Sequence, residues 1–90
     1  MILISHRGNI NGKLPNRENT IKYIEEAITK GFDVEIDICK WDGENFFLGH
    51  DEPHEAVTPE WLQKNPLWCH AKDYKALEQL VKYNIHCFWH

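Results

Sequence analysis

The chain has no surplus of basic residues. Ten Lys and Arg stand against fourteen Asp and Glu, for a net charge of −4. A nucleic-acid backbone is thereby excluded as the main partner, because such binding rests on clustered Lys and Arg. The chain also lacks any long apolar run. Ile2-Leu3-Ile4, before Ser5-His6, is too short for a signal-peptide core or a membrane span. Cysteine is sparse and odd in number, at Cys39, Cys69 and Cys87. Each lies in an expected strand or at its end, which reads as buried reduced thiols and a reducing, cytoplasmic setting. Cys87-x-x-His90 has the spacing of half a zinc site, but no second pair matches it. Internal repeats and low-complexity segments are absent as well.

What is there is an ordinary globular composition, 42% hydrophobic and 27% charged over 90 residues. That sets one small domain spanning residues 1–90. The pattern predicts a buried strand from Met1 to Ser5, then a loop from Asn9 to Arg17 rich in Gly, Pro and Asn. A first helix should start at Asn19 or Thr20 and run to Lys30, with Ile21, Ile24, Ala27 and Ile28 on its inner face and Gly31 as its stop. Phe32–Ile38 reads as a strand. Asp42-Gly43 then marks a tight turn into a returning strand, Phe46–Leu48. Residues 52–57 read as loop. Thr58-Pro59 places an N-cap and a helix-starting proline before a short helix ending at Lys64. Leu67–Ala71 is a strand. Asp73 caps a helix from Tyr74 to Tyr83, whose inner face is Ala76, Leu77, Leu80 and Val81, and Ile85–His90 is a last strand.

Strands alternating with helices imply an α/β fold with parallel strands and right-handed crossovers. In such folds the chemistry collects at the carboxyl ends of the strands. The polar residues follow that rule. His6 ends the first strand, Glu35 and Asp37 lie toward the end of the second, and His70 and Lys72 close the third. His50 arrives from the hairpin. Within Phe32–Ile38, Glu35 and Asp37 face the same way, roughly 7 Å apart along the strand. Two readings suit them: solvated acids on a half-exposed strand, or a pair that holds a divalent cation through hard oxygen ligands.

His6-Arg7-Gly8, Glu18-Asn19-Thr20, Glu35-Ile36-Asp37, Asp42-Gly43 and His50-Asp51 occur in this order. The ordered set resembles the glycerophosphodiester phosphodiesterase family, most closely over residues 1–51. The resemblance implies units of a TIM barrel, and a chain of this length supplies about half of one: four parallel strands plus a β-hairpin arm. It implies hydrolysis of a glycerophosphodiester to a phosphomonoester and an alcohol, with His6 and His50 as general acid and base. Arg7 and Lys72 would hold the phosphate, and Glu35, Asp37 and the side chain at position 70 a divalent metal ion, Mg or Ca. Where the family has a third carboxylate this chain has His70, whose imidazole suits Mn, Fe or Zn better. Glu18, Asn19 and Asp51 would support the site. The residues alone keep other roles open: Arg7 as an ion-pair partner of Glu18, Asn19 as a helix cap, His54 and His86 as surface or packing residues, Trp68 and Trp89 as core.

Three kinds of function follow. The chain is a phosphodiesterase acting on a small phosphodiester, a phosphate- or metal-binding module without turnover, or an interaction protein whose open sheet edge docks a partner. Half a barrel would expose an edge and an apolar face, so a second copy or a completing segment is the expected partner.

Overall fold

The computed structural model describes residues 3–9 and 17–89. The start of the first strand at Met1 and Ile2, residues 10–16 of the first loop, and the Cys87–His90 spacing with the end of the last strand lie outside them. The described elements are β1 (Ile4–His6), α1 (Ile21–Thr29), β2 (Asp33–Trp41), β3 (Phe46–Leu48), β4 (Ala56–Val57), α2 (Pro59–Lys64), β5 (Leu67–Ala71), α3 (Tyr74–Lys82) and β6 (Cys87–Trp89).

The strands form one mixed sheet in the order β4-β3-β2-β5-β6, with β1 also paired to β2. The pairs β1–β2, β2–β5 and β5–β6 are parallel, while β2–β3 and β3–β4 are antiparallel. This corrects the expected half of a parallel TIM-type barrel. The hairpin is no arm beside the sheet but part of it. The nine residues of β2 serve three partners: Val34–Ile38 pair with β5, Asp33–Glu35 pair with β1, and Ile38–Trp41 pair with β3, past a register shift between Ile38 and Lys40. The stretch expected as loop before Thr58 contributes β4, which extends that antiparallel side.

The core lies between the helices and one face of the sheet. Val34, Ile36 and Ile38 of β2, Leu67, Cys69 and Ala71 of β5, Ile24 and Ala27 of α1, Leu62 of α2, and Ala76 and Leu80 of α3 belong to one buried cluster. Alternation on β2 sends Asp33, Glu35 and Asp37 to the opposite face. His6, His70 and Phe88 join them there through the register His6↔Glu35, Asp37↔His70 and His70↔Phe88.

Local chemistry explains most element ends. Thr20, Thr58 and Asp73 each accept a hydrogen bond from the backbone N–H three residues on, at Tyr23, Trp61 and Ala76. Asp42 takes the N–H groups of Glu44 and Asn45 at 2.9 and 2.8 Å, closing the hairpin loop. Trp41 packs on Phe46 with ring centroids 4.6 Å apart. Two expected core residues are outside: Val81 is 59% exposed and Trp89 55% exposed. α3 covers the sheet through a narrower stripe than its sequence pattern suggests, and Trp89 sits in the edge strand β6. Burial pushes the thiols of Cys39, Cys69 and Cys87 up, and all three are free. None of the helices among the described residues is long and apolar enough to cross a membrane.

Gly49 closes the turn that carries His50. Its φ is +149, and a Cβ there would collide with the Glu52 carbonyl oxygen. Gly43 has φ +106 with nothing within 4 Å. Gly49→Ala should therefore lower stability by more than the roughly 1–2 kcal/mol that left-handed strain costs Gly43→Ala. Urea titration of both variants checks the order.

Candidate functional site: a carboxylate cluster and its adjoining cleft

The site is built on Asp37. Its residue is 1% exposed, in the middle of the sheet's longest strand. A carboxylate taken out of water needs charge and hydrogen bonds around it. Three chain segments supply them. Arg7, just past β1, sets Nε 2.7 Å from Oδ2. The Nε–H does not point along that line, so the contact is one of charge more than a formed hydrogen bond. Asn19 donates its Nδ2–H to Oδ2 at 3.1 Å and accepts the Asp37 N–H on Oδ1 at 2.9 Å. His70 of β5 places Nδ1 3.2 Å from Oδ1. Burial pushes the His70 imidazole down; the Asp37 charge pulls it back and the Lys72 charge pushes it down again, leaving it below its ordinary value of 6.5. At neutral pH the ring is therefore neutral and donates Nδ1–H to the carboxylate. Its other face stacks on Phe88, centroids 4.8 Å apart at 6°.

Backbone strain marks the same cluster. Arg7 and Asn19 both have φ 56, a region that side-chain-bearing residues seldom adopt. They hold each other there: the Asn19 N–H donates to the Arg7 carbonyl at 3.1 Å, and the Arg7 N–H to the Glu35 carbonyl. Gly8 fits against Tyr23, whose ring carbon lies 2.9 Å from where a Cβ would stand. Arg7 Nη1 also reaches Glu18 Oε1 at 3.2 Å, and Asn9 donates to Glu18 Oε2 at 2.8 Å. Asn9 further accepts from the Tyr23 hydroxyl at 3.0 Å. Burial alone would raise the Glu18 carboxyl. The Asn9 and Arg7 hydrogen bonds, with the charges of Arg7 and His6, outweigh it and hold the group below its ordinary 4.5.

Beside the cluster opens a cleft of about 320 Å³. Arg7, Glu18 and Asn19 form one wall, and His50, Asp51, Glu52 and His54 the other. The Gly49 N–H donates to the Asp37 carbonyl at 3.1 Å, which ties the second wall to the cluster. His50 Nδ1 lies 3.0 Å from Asp51 Oδ1. His6 and Glu35 pair with each other, Nε2 to Oε1 at 3.2 Å, and are not among the residues lining the cleft. Lys72 is exposed past the end of β5, its backbone N–H on the Ile38 carbonyl at 2.8 Å.

Comparison with family models, with curated proteins and with solved structures gives no match for this chain. The site is therefore read from its own geometry. That geometry brings Arg7, Glu18, Asn19, His50 and Asp51 to one cleft, and His70 to Asp37 behind it. Glu52 and His54 also line the cleft. The sequence offered no signal for them beyond their nearness to His50, and His54 was expected as a surface or packing residue. Of the expected metal set, His70 stands against Asp37 and Glu35 lies on the same sheet face, each side chain engaged by another protein group. Glu35 is engaged by His6, both Asp37 oxygens are engaged by protein groups, and no three His, Cys, Asp or Glu side chains group for a metal ion among the described residues. Asn19 is not the helix cap; Thr20 is.

Two outcomes follow. Asn19→Ala should cost roughly 2–4 kcal/mol, the sum of buried bonds left unmade and a left-handed backbone. Asn19→Gly keeps the backbone and should cost less; urea unfolding of both separates the two terms. Glu18 is depressed in the folded chain, so its contribution is present above the unfolded carboxylate value and lost as pH falls through the folded one. The gap in Tm between the wild type and Glu18→Gln should therefore narrow steadily as pH is lowered below about 4.

Proposed function

We propose that the chain hydrolyses a small phosphodiester of the glycerophosphodiester kind to a phosphomonoester and an alcohol. The observation that carries the reading is one cleft in which Arg7 faces His50, residues that the sequence keeps far apart. The order of motifs from His6-Arg7-Gly8 to His50-Asp51, with its resemblance to the glycerophosphodiester phosphodiesterases, supports the same reading.

The chemistry asks for a clamp on the phosphoryl oxygens and two proton carriers. Arg7 is held by Glu18 and Asp37 through Nη1 and Nε, and its other donors suit a non-bridging oxygen. His50, steered by Asp51, and His6, steered by Glu35, divide the proton work. One takes the proton of the attacking hydroxyl. The other gives a proton to the leaving alcohol oxygen as its bond to phosphorus breaks. Lys72 adds positive charge at the end of β5. The divalent ion that the resemblance implies finds no three-donor set among the described residues as the side chains stand, and no step is assigned to it. The free thiols suit a reducing compartment such as the cytoplasm. The outer edge of β6 and the uncovered sheet face are where a second copy or a further segment would pair.

A second reading has its own observation. His6 does not line the cleft that holds His50. Phosphate or phosphodiester binding without turnover accounts for that separation. Assays with glycerophosphodiesters and with bis(p-nitrophenyl) phosphate separate the two. Hydrolysis should fall by about 10²–10⁴-fold in His50→Ala and in His6→Ala, with circular dichroism unchanged. Saturable phosphate binding with no turnover in the wild type selects the second reading. Turnover indifferent to both changes rejects the first.

A further inference from the structure

Asp37 and Glu35 are the pair that a divalent ion would need, and each is already engaged. Asp37 Oδ2 takes Arg7 Nε at 2.7 Å and Asn19 Nδ2 at 3.1 Å, and Oδ1 takes His70 Nδ1 at 3.2 Å. Glu35 Oε1 lies 3.2 Å from His6 Nε2. The full positive charge nearest the buried carboxylate is the Arg7 guanidinium, which Glu18 grips from its other side at 3.2 Å. Arg7 is not a loose side chain that happened to fold inward. Its backbone stands at φ 56 and is pinned at both ends, its N–H to Glu35 and its carbonyl to Asn19. A strained conformation persists only where its surroundings fix it. The same two contacts that fix it lead to Asn19 and β2, the elements that carry Asp37 and its amide partner.

We propose that the Arg7 guanidinium is the resident cation of this centre, standing where the expected divalent ion would sit, and that it keeps the carboxylate pair from holding a metal ion. A guanidinium is always charged and matches carboxylate geometry, so it does the neutralising work of the ion without an exchangeable ligand. The claim concerns charge and metal affinity. It stands whether or not the cleft cleaves a diester.

The test measures metal binding and no activity. Equilibrium dialysis with MgCl₂, CaCl₂, MnCl₂ and ZnCl₂ at neutral pH is run on the wild type, on Arg7→Met, on Asp37→Asn, and on Arg7→Met combined with Asp37→Asn. The wild type should bind none of the four ions in the micromolar range, leaving at most dissociation constants near about 1 mM. Arg7→Met keeps the side chain's bulk and removes its charge. It should gain at least about tenfold in affinity for Mn²⁺ or Zn²⁺, the ions that suit an imidazole beside carboxylates. Asp37→Asn should abolish that gain. One equivalent of ion bound at micromolar affinity by the wild type, and lost in Asp37→Asn alone, overturns the proposal. A folded Arg7→Met that gains nothing also overturns it. If Arg7→Met does not fold, the wild type and Asp37→Asn decide by themselves.

Discussion

A carboxylate with almost no contact with water sits at the centre of this sheet, and the surrounding structure is arranged to make that tolerable. Desolvating an ion such as Asp37 costs several kcal/mol unless charge and hydrogen bonds replace the lost water. The replacements come from three places in the chain: the residue after β1, the residue before the cap of α1, and the penultimate residue of β5, His70. The β1–β2 and β2–β5 registers are thus tied to the same group. Slipping β1 by one residue would turn His6 away from Glu35, and slipping β5 would turn His70 away from Asp37, each toward the helix-covered face. A buried ion pair of this kind roughly repays its own desolvation, so its net gain in stability is small while the loss of one partner is costly.

The strain at Arg7 and Asn19 belongs to the same arrangement. Two left-handed residues, each holding the other through one backbone hydrogen bond, bend the chain so that a guanidinium and an amide reach one carboxylate from the same side. Gly8, tight against Tyr23, lets the turn pass over the start of α1. On the far side, the antiparallel addition of β3 to β2 brings Gly49 against the Asp37 carbonyl and the next residues to the cleft that Arg7 also lines. The hairpin that departs from an all-parallel sheet is what builds the second wall of the cleft.

Features governed by near neighbours were legible from the sequence. Thr58-Pro59, Asp73 and Asp42-Gly43 act within three residues of themselves, and their helices and turn stand where the pattern puts them. Features governed by distant partners were not. An alternation of strands and helices is the same text for a barrel and for an open sheet, and only the pairing of Ile38–Trp41 with β3 decides that this sheet is mixed. β4 is two residues long and exists only because β3 offers an edge. Glu35-Ile36-Asp37 correctly announces two acids on one face. Nothing in its spacing reveals that His6 and Arg7 lie across from them, 3.2 Å from Glu35 and 2.7 Å from Asp37. Asn19 beside Thr20 is an equally good cap on local grounds. Its bond to Asp37, eighteen residues on, is what assigns it elsewhere.

Charge balance then limits what the cleft accepts. Arg7 is shared between Glu18 and Asp37, so one positive group answers two negative ones. The opposite wall adds Asp51 and Glu52. A phosphodiester entering there meets a field that Arg7 does not make positive. The histidines at positions 50 and 54 line the same cleft, and an imidazole N–H is a donor that suits a phosphoryl oxygen. In a metal-centred site the ion would supply that attraction at every pH. In a guanidinium-centred one the positive charge is already shared between Glu18 and Asp37, so an anion would depend on the hydrogen-bond donors of the opposite wall.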